Sequence, residues 1–479
     1  MSFELKKGDK FHFIAMGGVG QSALAKILLK LGFEVSGSDM SDSKYLKELK
    51  ELGARVFIGH NPENVPDGAN IVISTAIKED NSELIRAKEL NLKVLHRSDM
   101  LLAFTKKFPA TLGFAGTHGK TTTSGLASYV LSKMGANAAY AVGGIIPELN
   151  TNANADMESK LFVAELDESD GTIVKYSPKF LVINNLEADH LDFYKNGLSD
   201  VLNTFKGLIQ SLPSDSKIIV NSDDTGVLEL LKMFDCKELP EIIGFSVKDV
   251  SENNPCKVKY AAQNVELNSC GAKFDVIKDG KNLGRISTSL KGIHNVYNAL
   301  AVCASLIEAG YEFDDFSSFF EGFTGMGRRF QQVFKNDNVE IIDDYAHHPS
   351  EIKATLKAAK EYALKSSKER VVAIFQPHRY TRLKALFEDF LNSFDEADLL
   401  IVLDVFSAGD MKDTEYNSET FVETFKSKYP KMAENVVYLG GKIDEIPDIV
   451  KEYIKDGDTV LTLGAGDVTK LGKLLGERL

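Results

Sequence analysis

Residues Ala110 to Gly135, ATLGFAGTHGKTTTSGLASYVLSKMG, constrain this chain more than any other stretch. An apolar run of strand character ends in Gly116-Thr117-His118-Gly119-Lys120-Thr121-Thr122, and Leu126, Val130 and Met134 then recur at helical spacing up to Gly135. The pattern predicts a strand, a phosphate loop and a helix. Two glycines let backbone N–H groups curl around an anion at the helix N-terminus, Lys120 adds a point charge for the outer phosphates, and the Thr121 hydroxyl can reach Mg²⁺. A strict eight-residue phosphate loop would carry glycine where Phe114 stands, so this is a shortened G-x-x-G-K-T variant. Such a loop is suited to ATP.

At 479 residues the chain is long enough for about three domains. Hydrophobic residues at 43% and charged residues at 26% describe an ordinary globular composition. A net charge of −13 argues against a nucleic-acid surface while leaving room for a local basic phosphate pocket. The N-terminus reads as untargeted, and no apolar run approaches the roughly 20 residues of a membrane span, so a cytoplasmic, membrane-free protein is expected. The four cysteines, Cys236, Cys256, Cys270 and Cys303, lack paired spacing, which excludes a disulfide framework and a zinc site as expectations.

Before the phosphate loop, Lys10 to Met16 reads as a strand, Gly17-Gly18-Val19-Gly20 turns into a helix, and a second strand ends at Asp39. This is the βαβ arrangement that seats a pyrophosphate on a helix N-terminus and turns an acid toward a ribose. Ala15 replaces the first glycine of the dinucleotide fingerprint. The motif therefore supports any ligand with a pyrophosphate and a ribose, UDP-sugars as well as NAD. Further strand–helix units place Ser74, Thr75, His96 and Arg97 at strand C-terminal ends, where ligands bind in such folds.

After the loop, Lys160 to Glu165 reads as a buried strand ending in an acid, and Phe180 to Ile183 leads into Asn184 through Asp192. Glu165 and Thr121 fit one Mg²⁺, and His190 could serve a second. Asp167, Asp170, Glu187 and Asp192 read for the most part as a solvated acidic loop. From Cys256 to Leu290 short alternating runs predict an antiparallel insertion. The run Gly292-Ile293-His294-Asn295-Val296-Tyr297-Asn298 then opens a helix whose His294 and Asn298 can hold an adenine or a phosphate, and Arg328-Arg329 follows at the apparent domain junction.

The last third repeats the strand–helix layout: Val339 to Asp344 leads into Tyr345-Ala346-His347-His348, and Val371 to Phe375 into His378-Arg379-Tyr380-Thr381-Arg382. A doubly wound sheet is expected, with His378, Arg379 and Arg382 forming a cation site for a small carboxylate.

In order, GGVGQSALA, GTHGKTTT, AELDESDG, NNLEADHLDFY, GIHNVYNALA, GRRFQ, DDYAHHPSEI and FQPHRYTR resemble the Mur ligases of peptidoglycan precursor synthesis over essentially the whole chain. The resemblance implies an α/β protein of three domains: a Rossmann-like UDP-sugar domain at 1–105, a P-loop ATPase-like domain with the β insertion at 106–330, and a Rossmann-like amino-acid domain at 331–479. It implies ATP and two Mg²⁺ ions as cofactors, UDP-N-acetylmuramate and L-alanine as substrates, and a monomer or weak homodimer. It also implies an acyl-phosphate route to an amide.

By the same resemblance Gly116, Thr117, His118, Gly119, Lys120, Thr121, Thr122, His294, Asn298 and Arg329 hold ATP, and Thr121, Glu165 and His190 hold the metals. Lys120, Asn298, Arg329, Asp344 and His347 are the implied catalytic groups, and Gly17, Gly18, Val19, Gly20, Asp39, Ser74, Thr75, His96 and Arg97 the UDP-sugar groups. Tyr345, His347, His378, Arg379 and Arg382 are implied for the amino acid. Some Mur ligases carry a carbamylated lysine at the position of Phe205, so no carbamate is expected here. A murein peptide ligase using a recycled tripeptide is the nearest rival. An NAD-dependent oxidoreductase and a non-catalytic nucleotide-gated module are more distant ones.

Overall fold

A computed structural model describes residues 3–191, 193–234, 239–248, 256–268, 270–365 and 370–479. Asp192 and Cys236 lie outside them. Three sheets follow one another along the chain.

The first sheet is all parallel, in the order Arg55–Ile58, Glu34–Asp39, Lys10–Ile14, Asn70–Ile73 and Val94–His96. The order in which strands are added reverses beside Lys10–Ile14, so the crevice opens at the turn into the helix Val19–Lys30. The second sheet has ten strands, with Ala110–Ala115 between Phe180–Ile183 and Leu161–Glu165. These strands are nearly continuous apolar runs because helices cover both faces, and Lys120–Lys133 packs there against Ile293–Glu308. The expected antiparallel segment is present as Val258–Asn268, Gly271–Lys278 and Lys281–Thr288. It is no separate insertion: Val258–Asn268 pairs in parallel with Glu241–Ser246 and extends the central sheet.

In the third sheet Asp458–Leu463 lies between Glu340–Asp344 and Arg370–Phe375, all three parallel. The loops after Asp344 and Phe375 therefore leave from the same edge, two strand spacings apart, about 10 Å. Side chains from both can meet there.

The units touch through polar contacts. Asn152, fully buried on the edge strand Thr151–Asn154, accepts from Lys26 Nζ at 2.9 Å and donates to the Val19 carbonyl at 2.9 Å. Lys26 also pairs with Glu48. Arg97 meets Asp167 at 2.6 Å, and Arg382 meets Asp189 at 3.4 Å. Removing one partner of a buried ammonium costs about 1–3 kcal/mol. Asn152→Ala is therefore expected to lower stability by about that amount, read as a shifted urea midpoint for the first unfolding transition.

Candidate active site

The phosphate loop follows the strand Ala110–Ala115 and ends where Gly119 starts the helix Lys120–Lys133. Gly116 and Gly119 have φ of 125° and 81°, the left-handed region glycine tolerates. A Cβ at Gly119 would also stand 2.7 Å from Asn298 Oδ1, so the glycine lets the loop and the helix Ile293–Glu308 close on each other. Lys120 folds back over the loop, donating to the carbonyls of Gly116 and Thr117 at 2.6 and 2.9 Å and to Glu168 at 2.9 Å. Burial pushes the Glu168 carboxyl up to about 7 against the pull of Lys120. Glu168 Oε2 is buried without a hydrogen-bond partner.

Beside the loop, Thr121 in the first turn of Lys120–Lys133 meets Glu165 at the end of Leu161–Glu165, and His190 lies in the segment after Phe180–Ile183 on the wall of the same cleft. Thr121 Oγ1 donates to Glu165 Oε1 at 2.9 Å, and Glu165 Oε2 accepts from Gly143 N at 2.7 Å. His190 Nε2 lies 3.7 Å from Glu168 Oε1, and burial lowers its imidazole. Burial would raise the Asp189 carboxyl, yet Arg382 and His190 hold it below the usual range. Phe205 is fully buried, and Lys206 Nζ lies 5.9 Å from the Phe234 ring centre.

Two clefts meet at the loop. The first, about 370 Å³, includes Gly119, Thr122, His294, Asn298 and Asp344 in its lining. The second, about 400 Å³, is walled by Val19, Gly20 and Arg97 on one side and by Thr117, Lys120, Thr121, Glu165 and His190 on another, with Tyr345 and His347 closing it. His118, Arg329 and Glu351 border both.

Glu351 lies in the first turn of the helix Pro349–Lys365, where the helix dipole favours an anion. Its Oε1 accepts from His118 Nδ1 at 3.2 Å, and its Oε2 accepts from the backbone N–H of His347 at 3.1 Å and of His348 at 3.3 Å. Arg329 Nη1 is 3.6 Å away. Burial opposes charge on His118, but Glu187 and Glu351 push its imidazolium up to about 10. His118, Glu187 and His348 place ligand-type atoms within 4.8 Å of one another. In this arrangement Glu187 and Glu351 flank the His118 imidazole as an ion-pair group.

The third sheet supplies the far wall. Asp344 accepts from Phe330 N at 2.6 Å and Ala346 N at 2.8 Å, holding the turn that carries His347. Burial raises its carboxyl to about 6 in spite of Arg329. The Arg328 and Arg329 guanidinium groups sit 5.0 and 5.1 Å from the Tyr345 ring centre. The His347 and His378 rings are 5.9 Å apart, and His378 stacks on Phe406. Burial, with His347 and Arg382 nearby, lowers the His378 imidazole to about 3.

Some expected groups stand elsewhere. Asp39 accepts from Gly17 N at 2.8 Å and, like Gly17, Gly18, Ser74 and Thr75, is not among the residues lining the second cleft. His96 caps the helix Arg97–Lys107 through a reciprocal box with Asp99. His378, Arg379 and Arg382 are not among the residues lining either cleft. The solvated acidic loop is corrected: Asp167 and Asp170 face Arg97, and Glu187 lies 3.5 Å from His118. Their partners are remote in sequence, which the local acidic composition conceals. Glu168 and Glu351 were missed for the same reason; a carboxylate in a helix first turn after His-His-Pro was the available signal.

Three α/β units, with a phosphate loop at the meeting point of two clefts, make this a multidomain protein built around nucleotide binding. Family models match three successive segments: "Mur ligase family, catalytic domain" over residues 10–109, "Mur ligase middle domain" over 114–306, and "Mur ligase, glutamate ligase domain" over 328–466. A UDP-N-acetylmuramate–L-alanine ligase of Sulfurihydrogenibium sp. is 38% identical over 99% of this chain and 98% of its own length. The protein of the same name from Acetivibrio thermocellus is 36% identical over 97% and 94%. The crystal structure of the UDP-N-acetylmuramate–alanine ligase of Thermotoga maritima matches with a TM-score of 0.79 at 27% identity over 98% of both chains. A murein peptide ligase of Psychrobacter arcticus shares the fold with a TM-score of 0.71 at 21% identity. The chain belongs to the Mur ligase family.

Raising the Asp344 carboxyl from 3.8 to about 6 makes the folded state lose stability as pH rises through that window, because the unfolded chain ionises first. At about 1.4 kcal/mol per pH unit, the loss between pH 4 and 6 is about 3 kcal/mol. Asp344→Asn is expected to flatten this part of the stability profile, measured by thermal melting from pH 4 to 7.

Proposed function

We propose that this protein joins L-alanine to the carboxylate of UDP-N-acetylmuramate at the expense of ATP, giving UDP-N-acetylmuramoyl-L-alanine, ADP and phosphate in the cytoplasm. The observation that carries the reading is the meeting of the two clefts at His118, Arg329 and Glu351, with Lys120 on the near side of the second and Gly20 and Arg97 on its far side. A nucleotide in the first cleft and a pyrophosphate on the helix at Val19 would turn their reactive ends toward one point. Full-length likeness to relatives named for L-alanine favours that amine over the tripeptide of the rival reading.

In this reading the three domains divide near residues 105 and 330. The oxygen-rich pair Thr121 and Glu165 suits Mg²⁺, and His190 with the unpartnered Glu168 oxygen suits a second ion. Bound there, Mg²⁺ would supply charge neutralisation for phosphoryl transfer.

The chain's own groups do the rest. Lys120 and Arg329 face the transferring phosphoryl group and stabilise charge as the substrate carboxylate becomes an acyl phosphate. The imidazolium of His118 adds a third donor. The Tyr345 carbonyl lies 2.9 Å from His347 Nδ1 and accepts a hydrogen bond from the Nδ1–H tautomer, in which Nε2 can take a proton from the attacking amine. His378, Arg379 and Arg382 are assigned to the carboxylate of the amino acid once the wall rearranges around it.

Phosphate release from ATP, measured with UDP-N-acetylmuramate and either L-alanine, other amino acids or a tripeptide, tests the function. Release that requires both the sugar nucleotide and L-alanine is expected; release with the tripeptide alone overturns it in favour of the recycling activity. Lys120→Ala is expected to lower ligation by at least about 10²–10³-fold. UDP-N-acetylmuramate binding, followed by calorimetry, should change by less than about threefold, since Val19, Gly20 and Arg97 remain and about 0.7 kcal/mol is the corresponding limit.

A further inference from the structure

We infer that Glu351 is a positioning residue that makes occupation of the nucleotide cleft and assembly of the acceptor cleft a single event. The inference rests on the proposed reading of the two clefts. Its carboxylate is one of three side chains bordering both, and the other two, His118 and Arg329, are its partners.

The two oxygens are divided between the two sides. Oε1 faces outward from its own domain to the phosphate-loop residue His118 at 3.2 Å and to Arg329 at 3.6 Å. Oε2 faces inward, accepting from the N–H groups of His347 and His348 and lying 3.2 Å from His347 Nδ1. One carboxylate thus ties the phosphate loop to the turn that carries Tyr345 and His347. The groups facing it are His118, Arg329 and His347, with His348 and the carboxylate Glu187 beyond His118 and Asp344 behind Arg329.

The contact then sets the order of events. His118 and Arg329 are balanced by Glu351 together with Glu187, which lies 3.5 Å from His118. A phosphate that orders the loop carrying His118 therefore orders the Glu351 contact as well, and with it the turn that holds His347 at the acceptor side. By linkage, an acceptor that orders the His347 turn must in return tighten nucleotide binding by the same factor.

The test is calorimetric titration of UDP-N-acetylmuramate into the full-length protein, with and without a non-hydrolysable ATP analogue and Mg²⁺. The unmodified protein should bind the sugar nucleotide at least about fivefold more tightly when the analogue is present, the lower end of ordinary allosteric coupling. In Glu351→Gln, which keeps the shape and removes the charge, the ratio of the two affinities should fall to about one, and kcat should drop by about tenfold to a hundredfold. Glu351→Asp should recover part of the coupling. The imidazole of His118, followed by NMR, should titrate at lower pH in Glu351→Gln, which reports loss of the contact, while the change in coupling reports its role. Coupling that survives in Glu351→Gln, or an Asp variant no better than Gln, overturns the inference and leaves the ligase reading intact. Absence of analogue binding in the unmodified protein overturns the ligase reading itself, and this inference with it.

Discussion

A single carboxylate, Glu351, stands where the phosphate loop, the arginine-bearing junction and the third sheet converge, and the shape of the site depends on the charges it holds together. Two cationic groups brought this close in a poorly solvated place repel by several kcal/mol unless a counter-charge lies between them. With that counter-charge in place, the space between the domains is divided into two clefts that share a wall of three side chains. A reaction needing a nucleotide on one side and a carboxylate acceptor on the other requires this kind of partition.

The remaining charges near the loop follow the same logic. Lys120 is held by two carbonyls and Glu168, so its ammonium is ordered before any phosphate arrives. Pre-ordering lowers the reorganisation needed during phosphoryl transfer, the source of much electrostatic catalysis. Arg97, by contrast, is paired with Asp167 across the boundary between the first two sheets. A pyrophosphate at Val19 and Gly20 would meet an arginine already oriented toward it.

Alternation of apolar strands and helices made the parallel cores of the three sheets readable, because a buried parallel strand must be apolar on both faces and the helices that cover it must be amphipathic or apolar. The phosphate loop was readable for a local reason too: Gly116 and Gly119 adopt backbone angles set by their own residues. Thr121 and Glu165 sit at a helix start and a strand end whose parallel register with Ala110–Ala115 carries them to one edge, and the segment holding His190 leaves from the same edge after Phe180–Ile183. Sequence reasoning erred on the acids. Asp167 and Glu187 looked like solvated loop because their partners, Arg97 and His118, are each about 70 residues away in sequence.

What the sequence determined by itself, then, is the set of local conformations: which segments are strands, where the loop bends and which residue types stand at its mouth. The order of strands decided the rest. Asp458–Leu463, near the end of the chain, inserts between Glu340–Asp344 and Arg370–Phe375, and so sets His347 and His378 5.9 Å apart. The contact of His118 with Glu351 spans 233 residues. No local propensity encodes such a pair; it exists only once three separate cores have formed and their polar edges have been pressed together, because the pairing energy comes from burial that the folded arrangement alone supplies.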